Sequence, residues 1–350
     1  MKILLLSHRF YPDIGGIETI SEILSERFCM SGHEVRVITW SLDATQKKFS
    51  FKVIRKPSIK RLFSEHSWAD VVFENNPCIR LGWPSLFFRR PCIIGLQTWL
   101  TAGDNHSGIY KHFKTLWIKR ASKVIACSKA VQKEVWPKAV VIGNPYDENI
   151  FKKYPNIDRV KDFVFLGRLV SDKGADLAIK AFNFLITRLM TDANIKPSLT
   201  IIGDGPEKEN LQELMVTFQL QQSVSFTGSL RGQEIAKKLN EHRVLLVPSL
   251  WKEPFGIVAL EGLACGCIPI VANRGGLPDA VGSGGLIFES GNLESLATVM
   301  NESLQKPEIH QNLQNAAAAH LHFHTTGEVS RHYLSIIESV FTDHSQALVE

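Results

Sequence analysis

The sequence lacks an apolar run long enough to cross a bilayer, which takes about 20 residues. Its first apolar run, residues 3–6, is followed at once by Ser7, His8 and Arg9, and it is too short for a secretory signal. We therefore expect a soluble, cytoplasmic chain in which residues 3–6 form a buried strand.

The sequence is also poor in patterns that bind metals or cofactors. Only Cys265 and Cys267 of its six cysteines stand close together, and their apolar neighbours favour a buried helix end over a metal clip. It has no Asp-x-Asp pair, which would hold a divalent ion on a diphosphate. Neither Gly15-Gly16 nor Gly203-Asp204-Gly205 completes the Gly-x-Gly-x-x-Gly pattern of dinucleotide-binding enzymes. We therefore expect no metal and no cofactor.

Acidic residues are scarce in the first half of the chain. Residues 1–155 hold 24 Lys/Arg and 13 Asp/Glu, a net charge of +11, whereas residues 156–350 carry −6 of the total of +5. Such a basic half attracts anions, which include nucleic acid, anionic lipid head groups and phosphorylated substrates. The alternative is a solvated surface with a chance excess of Lys and Arg.

Short apolar runs recur between longer amphipathic stretches in both halves of the 350-residue chain, which is long enough for two domains. The pattern predicts two doubly wound α/β domains with parallel sheets. The runs are residues 3–6, 35–39, 71–73, 92–96, 124–127 and 140–142 in the first half, and 163–166, 199–202, 224–226, 244–247, 269–272 and 285–288 in the second.

A polar stretch with prolines, from position 144 to 161, separates the two series. We predict a Rossmann-like acceptor-binding domain at 1–155 and a Rossmann-like nucleotide-sugar-binding domain at 156–326. A final helix at 327–350 would cross back to the first domain. Because ligands of open α/β sheets bind at the carboxyl ends of the strands, we expect the chemistry in a central cleft that the two domains face.

Residues 248–261, Pro-Ser-Leu-Trp-Lys-Glu-Pro-Phe-Gly-Ile-Val-Ala-Leu-Glu, are the most informative segment. Pro254 suits a helix start, and Gly256 lets a ligand approach the backbone closely. Glu253 would then lie at the helix entrance and Glu261 about two turns inside. Glu261 has apolar neighbours and needs hydrogen-bond donors, which vicinal sugar hydroxyls would supply. A capping Glu253 and a Glu261 paired with a core Arg are the alternative.

The spacing of the two glutamates within Glu-Pro-Phe-Gly resembles the signature of family 4 retaining glycosyltransferases, which have the GT-B fold. The overall character is similar to bacterial, including cyanobacterial, envelope polysaccharide glycosyltransferases. Further stretches match the family in the same order along nearly the whole chain. They are Gly15-Gly16, Gly167-Arg168-Leu169 with Lys173, Gly203-Asp204-Gly205-Pro206, Gly228-Ser229-Leu230 and Gly275-Gly276-Leu277-Pro278-Asp279.

The resemblance implies a role for each stretch. Arg168 and Lys173 would hold the donor diphosphate and carry catalysis with Glu253, because fixed cations stabilise the charge of a leaving nucleoside diphosphate. Asp279 stands where the family carries Glu. This replacement keeps the negative charge but gives a shorter side chain. The remaining donor-binding residues implied are Gly15, Gly16, Gly203, Gly205, Ser229, Leu230, Phe255, Gly256, Ile257, Val258 and Glu261.

The chain departs from the family after the run at 92–96. There the family often carries a His near the reacting sugar, whereas this chain reads Leu96-Gln97-Thr98-Trp99. Gln97 can hydrogen-bond a sugar hydroxyl but cannot act as a general base. His106 is the nearby substitute on the acceptor side, and a solvated loop histidine is the alternative interpretation.

Residues 109–120 combine a helical period with lysines and aromatic residues. This pattern fits peripheral contact with an anionic membrane that carries a lipid-linked acceptor. It also fits a domain helix with an aromatic face in the core and lysines in water, which we favour slightly.

The resemblance implies transfer of a hexose, with glucose as first choice, from a UDP-sugar donor. The acceptor would be an oligosaccharide or a lipid-linked molecule in envelope or exopolysaccharide synthesis, and no nucleic acid is expected as a partner. Two alternatives come from other classes: an NAD-dependent oxidoreductase on paired Rossmann domains, and a non-catalytic module that binds polyanions.

Overall fold

The structure, a computed structural model, describes residues 1–13, 15–43, 45, 47–100, 108–190 and 196–347. The chain divides into two compact units: the first is Met1–Pro145 with Thr326–Glu350, and the second is Tyr146–Thr325. The structure thus assigns residues 146–155 to the second unit, whereas the sequence predicts a boundary after residue 155. The reason is local packing, because Phe151 is buried and the Tyr154 N–H donates to Asn240 Oδ1 at 2.8 Å within that unit.

The first unit contains a seven-stranded parallel sheet. Its strands lie in the order β3-β2-β1-β4-β5-β6-β7, so the strand order reverses between β1 and β4. The strands are β1 (Lys2–Leu6), β2 (Glu34–Thr39), β3 (Lys52–Arg55), β4 (Val71–Asn75), β5 (Cys92–Leu96), β6 (Lys123–Ala126) and β7 (Val140–Val141); the helices are α1 (Gly16–Met30), α2 (Ile59–Trp68), α3 (Ile79–Gly82), α4 (Gly108–Lys119) and α5 (Lys129–Val135), with a 3₁₀ segment at Trp83–Phe87.

The second unit contains a six-stranded parallel sheet in the order β10-β9-β8-β11-β12-β13, and its order reverses between β8 and β11. The strands are β8 (Lys161–Leu166), β9 (Leu199–Ile202), β10 (Val224–Gly228), β11 (His242–Val247), β12 (Ile268–Ala272) and β13 (Leu286–Phe288); the helices are α6 (Ala175–Phe184), α7 (Lys208–Thr217), α8 (Gln233–Glu241), α9 (Ile257–Ala264), α10 (Leu277–Val281), α11 (Leu293–Gln305) and α12 (Pro307–Phe323), with a 3₁₀ turn at Ser171–Lys173 and a π-helical turn at Leu185–Leu189.

The last helix, α13 (Thr326–Gln346), belongs to the first unit. Its Tyr333 is fully buried, and the ring meets Phe73 of β4 edge-on with centroids 5.7 Å apart. Among the described helices, none is long and apolar enough to cross a membrane. The predicted fold class, two Rossmann-like parallel-sheet domains, is confirmed for each unit.

Local sequence explains where several helices begin. Ser58, Ser128 and Asn292 precede α2, α5 and α11, and each side chain accepts a hydrogen bond from a backbone N–H in the first turn. Such caps satisfy donors that the helix itself leaves unpaired. The strands are rich in β-branched and leucine residues, and β1, β4 and β5 are buried along almost their whole length.

A buried carboxylate ties α4 to the first sheet. Glu74 of β4 is fully buried, accepts hydrogen bonds from Trp117 Nε1 at 2.8 Å and from the Cys78 N–H at 2.7 Å, and forms an ion pair with Arg120. Burial raises the pKa of Glu74, and the Arg120 charge opposes that rise. These donors satisfy the carboxylate and fix the end of α4 on the sheet.

Replacing this carboxylate should destabilise the first unit. We expect Glu74→Ala to lower the free energy of unfolding by about 3 to 5 kcal/mol, because it leaves the Arg120 guanidinium without its carboxylate partner in a largely buried site. Urea unfolding followed by tryptophan fluorescence measures the change. The matched control is Glu22→Ala, which removes a surface ion pair with Lys47 and should cost at most about 1 kcal/mol. Equal losses in the two variants would contradict the structural role of Glu74.

Candidate active site

A pocket of about 270 Å³ opens in the second unit at the carboxyl ends of β8 and β11. These are the two strands between which the strand order reverses, and ligands of open α/β sheets bind at such a point. The pocket is lined by Phe165, Leu166, Gly167, Arg168, Lys173, Ile235, Val247, Ser249, Glu253, Val258 and Glu261. The structure therefore brings together the three predicted catalytic residues and two further predicted donor-binding residues, Val258 and Glu261.

Glu253 is held by a cation and a hydroxyl. The Lys173 ammonium forms an ion pair with its carboxylate, and Ser249 Oγ donates to Glu253 Oε1 at 3.0 Å. The Asp172 carbonyl accepts from the N–H groups of Leu250 and Trp251, at 2.9 Å each, which joins the Lys173 turn to the loop after β11. The two loops therefore present their charges as one fixed group.

Two adjacent glycines support the backbone on either side of Glu253. The Gly276 N–H donates to the Glu253 carbonyl at 2.8 Å. A Cβ on Gly275 would lie 2.2 Å from the Glu253 carbonyl oxygen, and one on Gly276 would lie 2.2 Å from that of Pro254. The predicted Gly-Gly-x-Pro-Asp stretch thus acts on the site through its backbone. Asp279 lies half-buried in the first turn of α10 and does not line the pocket.

The helix that follows Glu253 starts later than the sequence predicts. Gly256 has a left-handed conformation with φ of 115°, so the helix begins at Ile257 and Pro254 lies in the preceding loop. Glu261 is therefore one turn inside α9, whereas two turns were predicted. Phe255 is buried, with its ring 5.5 Å from the ring of His324, and anchors the loop.

Glu261 is a carboxylate on the wall of the pocket that has no partner among the described residues. It is half-buried, and no side chain or backbone group within the described ranges donates a hydrogen bond to its carboxylate or pairs with it. Burial raises its pKa to about 7, and the nearby charge of Asp147 adds to the rise. The alternative interpretation, an ion pair between Glu261 and a core Arg, is therefore not observed. A ligand with hydroxyl groups could donate hydrogen bonds to this carboxylate.

Arg168 supplies an exposed positive charge at the same edge. It lies two residues after β8, and none of the residues that the structure describes pairs with its guanidinium. An Arg fork and a Lys ammonium at one pocket can bind a diphosphate, which offers several oxygens to each.

The glycines after β9 pack against the loop that carries Arg168. Gly203 and Gly205 have φ of 147° and 157°, and a Cβ on them would lie 1.9 Å from the Gly167 carbonyl oxygen and 2.4 Å from that of Leu169. Ser229 and Leu230 follow the neighbouring strand β10 and lie outside the lining of the pocket. Gly203 and Gly205 therefore position the loop that carries Arg168. Ser229 and Leu230 follow β10, which is the neighbour of β9 in the sheet.

The sequence reasoning missed several residues of the pocket wall. Ser249 could have been found, since it stands four residues before Glu253 in the same loop and two residues after a predicted strand. Ile235, which comes from α8, and the strand-end residues Phe165 and Val247 carried no signal beyond their apolar character.

Two of the predicted donor-binding residues, Gly15 and Gly16, and both acceptor-side residues, Gln97 and His106, belong to the first unit. Gly15 precedes α1 and Gly16 begins it. Gln97 is buried, with its Nε2 donating to Tyr333 Oη at 3.1 Å, so this side chain contacts α13 and not a pocket. His106 lies outside the described residues.

The first unit has its own pocket, of about 230 Å³, where its strand order reverses. Burial lowers the pKa of His8, and the charges of Arg80 and Lys114 lower it further. Basic, acidic, amide, aromatic and apolar side chains line the space. The lining residues are His8, Arg9, Ile17, Glu18, Asn75, Asn76, Pro77, Thr98, Trp99, Leu100 and Lys114.

Comparison with known proteins agrees with this arrangement. Residues 147–320 match the protein family model described as Glycosyl transferases group 1. An uncharacterized glycosyltransferase of Methanocaldococcus jannaschii is 26% identical over 333 residues, 80% of this chain and 83% of its own length. The gpi3 subunit of phosphatidylinositol N-acetylglucosaminyltransferase from Schizosaccharomyces pombe is 27% identical over 314 residues, 80% of this chain and 67% of that protein.

A solved structure shares the fold. HepE of Anabaena, in complex with UDP, matches with a TM-score of 0.81 at 20% identity over 97% of this chain and 100% of that chain. The fold is therefore GT-B, as predicted, and the second unit contains a glycosyltransferase group 1 domain. The match assigns this domain to a glycosyltransferase family and disfavours the oxidoreductase and polyanion-binding alternatives.

The pKa of Glu261 predicts a pH-dependent difference in stability. The folded chain, with a pKa of about 7, keeps a proton that the unfolded chain releases near pH 4.5, so ionised Glu261 destabilises the fold increasingly as pH rises between those values. We expect Glu261→Gln to have nearly the wild-type Tm at pH 4.5 and a higher Tm than wild type at pH 8. Differential scanning calorimetry across this range checks the sign. A variant whose Tm falls relative to wild type as pH rises would contradict an unpaired carboxylate.

The close approach at Gly276 predicts a steric effect on the site. Because its φ of −90° suits any residue, Gly276→Ala should act only through the clash with Pro254. We expect the free energy of unfolding to fall by about 1 to 3 kcal/mol. We also expect titration calorimetry to show weaker nucleotide-sugar binding, because the loop that carries Glu253 must shift. The control is Gly327→Ala, because no atom lies within 4 Å of a Cβ added there. Unchanged nucleotide-sugar binding in the Gly276 variant would show that this turn does not determine the geometry of the site.

Proposed function

We propose that the chain is a family 4 retaining glycosyltransferase that moves a hexose, glucose by first choice, from a UDP-sugar to an oligosaccharide or lipid-linked acceptor. The observation that carries the proposal is the pocket at the β8–β11 edge. It places the cations Arg168 and Lys173 and the carboxylates Glu253 and Glu261 around one space.

The cations suit the diphosphate of the donor. Arg168 has no partner in the described part of the chain, and Lys173 holds Glu253. Binding of a diphosphate gives Lys173 a second anionic partner and would keep it between the phosphate and Glu253. Fixed cations then stabilise the negative charge that grows on the diphosphate as the sugar leaves.

The carboxylates suit the hydroxyls of the donor. Glu261 has open acceptor positions and a pKa of about 7, and hydroxyl donors would favour its charged form. The bonds from Ser249 and Lys173 both reach Oε1 of Glu253, which leaves Oε2 for a ligand. We propose that both side chains bind the donor by accepting hydrogen bonds from its ribose or hexose hydroxyls.

The reaction exchanges one bond for another at the anomeric carbon. The bond from this carbon to the diphosphate oxygen breaks, and a bond to the acceptor oxygen forms on the same face of the sugar. The acceptor proton passes to the departing phosphate, so no enzyme base is needed and the engaged Gln97 is compatible with transfer. Arg168 and Lys173 stabilise the negative charge on the leaving diphosphate, and we propose that no metal ion is needed for this.

The acceptor side is assigned to the first unit. Its pocket combines Arg9 and Lys114 with the ring of Trp99, a set that suits a sugar bearing an anionic group. HepE, whose structure holds UDP, supports a uridine donor, and the name of the gpi3 relative supports a lipid acceptor. We place the reaction in envelope or exopolysaccharide synthesis at the cytoplasmic side.

A thermal-shift screen of nucleotide sugars tests the proposal. A ligand at about 100 times its dissociation constant adds about 2.7 kcal/mol of stability, so the preferred donor should raise Tm most. We expect UDP-glucose to exceed the corresponding GDP and ADP sugars, and NADH to give no shift. The same shift in EDTA would support metal independence. A shift with NADH alone would overturn the proposal.

Removing the unpaired cation should weaken diphosphate binding. We expect Arg168→Ala to raise the Kd for UDP roughly 10- to 100-fold, since charge-assisted hydrogen bonds contribute about 1.5 to 3 kcal/mol. Titration calorimetry measures the Kd. The matched control is Arg188→Ala, an exposed arginine of the π-helical turn that does not line the pocket. A wild-type Kd in the Arg168 variant would show that the site assignment is wrong.

A further inference from the structure

The first unit exposes large apolar side chains at its 3₁₀ segment. Leu86 is 66% exposed and Phe87 is 68% exposed, although residues of this type usually lie inside a fold. Phe87 is held from behind by Phe63 and Trp83, with ring centroids 5.5 and 6.1 Å away. The ring is therefore an ordered projection, supported by a cluster of aromatic rings.

Helix α4 exposes a second apolar pair. Phe113 is 60% exposed and Leu116 is 45% exposed, while Trp117 and Ile118 are buried. The sequence predicted an aromatic face that is either wholly in the core or at a membrane, and the structure divides it between the core and the surface. Phe113 and Leu116 are three residues apart, so they share one face of the helix.

A hydrogen bond joins these two places. Arg120 directly follows the last residue of α4, four residues after Leu116, and its Nη1 donates to Ser85 Oγ at 2.9 Å. Ser85 directly precedes Leu86. The end of α4 therefore lies beside the 3₁₀ segment, and we call Leu86, Phe87, Phe113 and Leu116 the apolar patch.

Positively charged residues lie close along the chain to the members of the apolar patch, and we call Arg89, Arg90 and Lys119 its basic rim. Residues 79–123 contain eight Lys/Arg and a single acidic residue, Asp104, which gives a net charge of +7. Arg89, Arg90 and Lys119 are exposed, and over the described ranges none of them pairs with a carboxylate. Arg120, one of the eight, is ion-paired with the buried Glu74, so it does not add to the net positive charge.

We propose that the apolar patch and its basic rim bind an anionic lipid bilayer. Aromatic and leucine side chains enter the boundary between head groups and acyl chains, while Lys and Arg near the surface attract anionic lipids at about 1 kcal/mol each. Charge complementarity distinguishes this occupant from a second copy of the chain, because two such rims would repel each other.

The same helix links this surface to the pocket of the first unit. Lys114 lines that pocket, and Phe113, its neighbour in α4, belongs to the apolar patch. A bilayer bound there lies beside the place that we assign to the acceptor, which deepens the proposed function toward a lipid-linked acceptor and rests on it. Bilayer binding itself involves no donor, so its test stands apart from that of the reaction.

Vesicle sedimentation tests the proposal with the full chain. The probes are vesicles of phosphatidylcholine alone and vesicles in which one third is replaced by phosphatidylglycerol. We expect wild-type protein to bind the anionic vesicles at least about 10-fold more strongly, and raised salt to weaken the binding. The double variants L86S/F87S and R89E/R90E should each lose at least about 10-fold in partitioning.

Two control variants match these changes elsewhere on the chain. Phe323→Ser removes an aromatic ring that is 60% exposed in α12, and K196E/K237E makes the same charge change at two exposed lysines of the second unit. Both should bind vesicles as wild type does, and UDP binding by all variants confirms that the second unit is folded. Circular dichroism and Tm check the fold of the first unit.

Three results would overturn the proposal. The first is equal binding of wild type to the two kinds of vesicle. The second is a loss in the control variants as large as in the patch variants. The third is an absence of vesicle binding together with a dimer, in sedimentation velocity, that L86S/F87S converts to a monomer, which would assign the patch to a second copy.

Discussion

The loops around the pocket of the second unit touch one another through backbone atoms, with no room for a Cβ between them. Gly174 faces the Pro248 carbonyl, Gly203 faces that of Gly167, and Gly275 faces that of Glu253. Interiors are packed densely enough that one added carbon forces such neighbours apart. The positions of Lys173, Arg168 and Glu253 all follow from these close approaches, because each charged residue lies within one position of a touching backbone group.

Two carboxylates show how burial alone fails to distinguish structure from function. Glu74 is surrounded by donors and leaves nothing for a ligand to satisfy. Glu261, also raised in pKa by burial, has none among the described residues. The first fastens a helix to a sheet, whereas the second is half-buried on the wall of a pocket, where the hydroxyl donors of a ligand can reach it.

Much of this arrangement could be predicted from the sequence, because parallel strands buried on both faces appear as continuous apolar runs. Strand β3 was missed because Lys52 and Arg55 leave it only two apolar residues, as suits an edge strand. The start of α9 was placed too early because Pro254 is a good first helical residue, and the left-handed Gly256 overrides that preference. The partner of Gln97 could not be predicted, since Tyr333 lies 236 positions away.

The return of α13 to the first unit has a consequence for synthesis. Residues 146–325 form a continuous unit, so they can complete their fold as soon as they have left the ribosome. The first unit, although made earlier, must wait for Tyr333 to cover Phe73 and for the rest of α13 to emerge. Until then part of its core faces water or a chaperone, and the oldest part of the nascent chain is the last to mature.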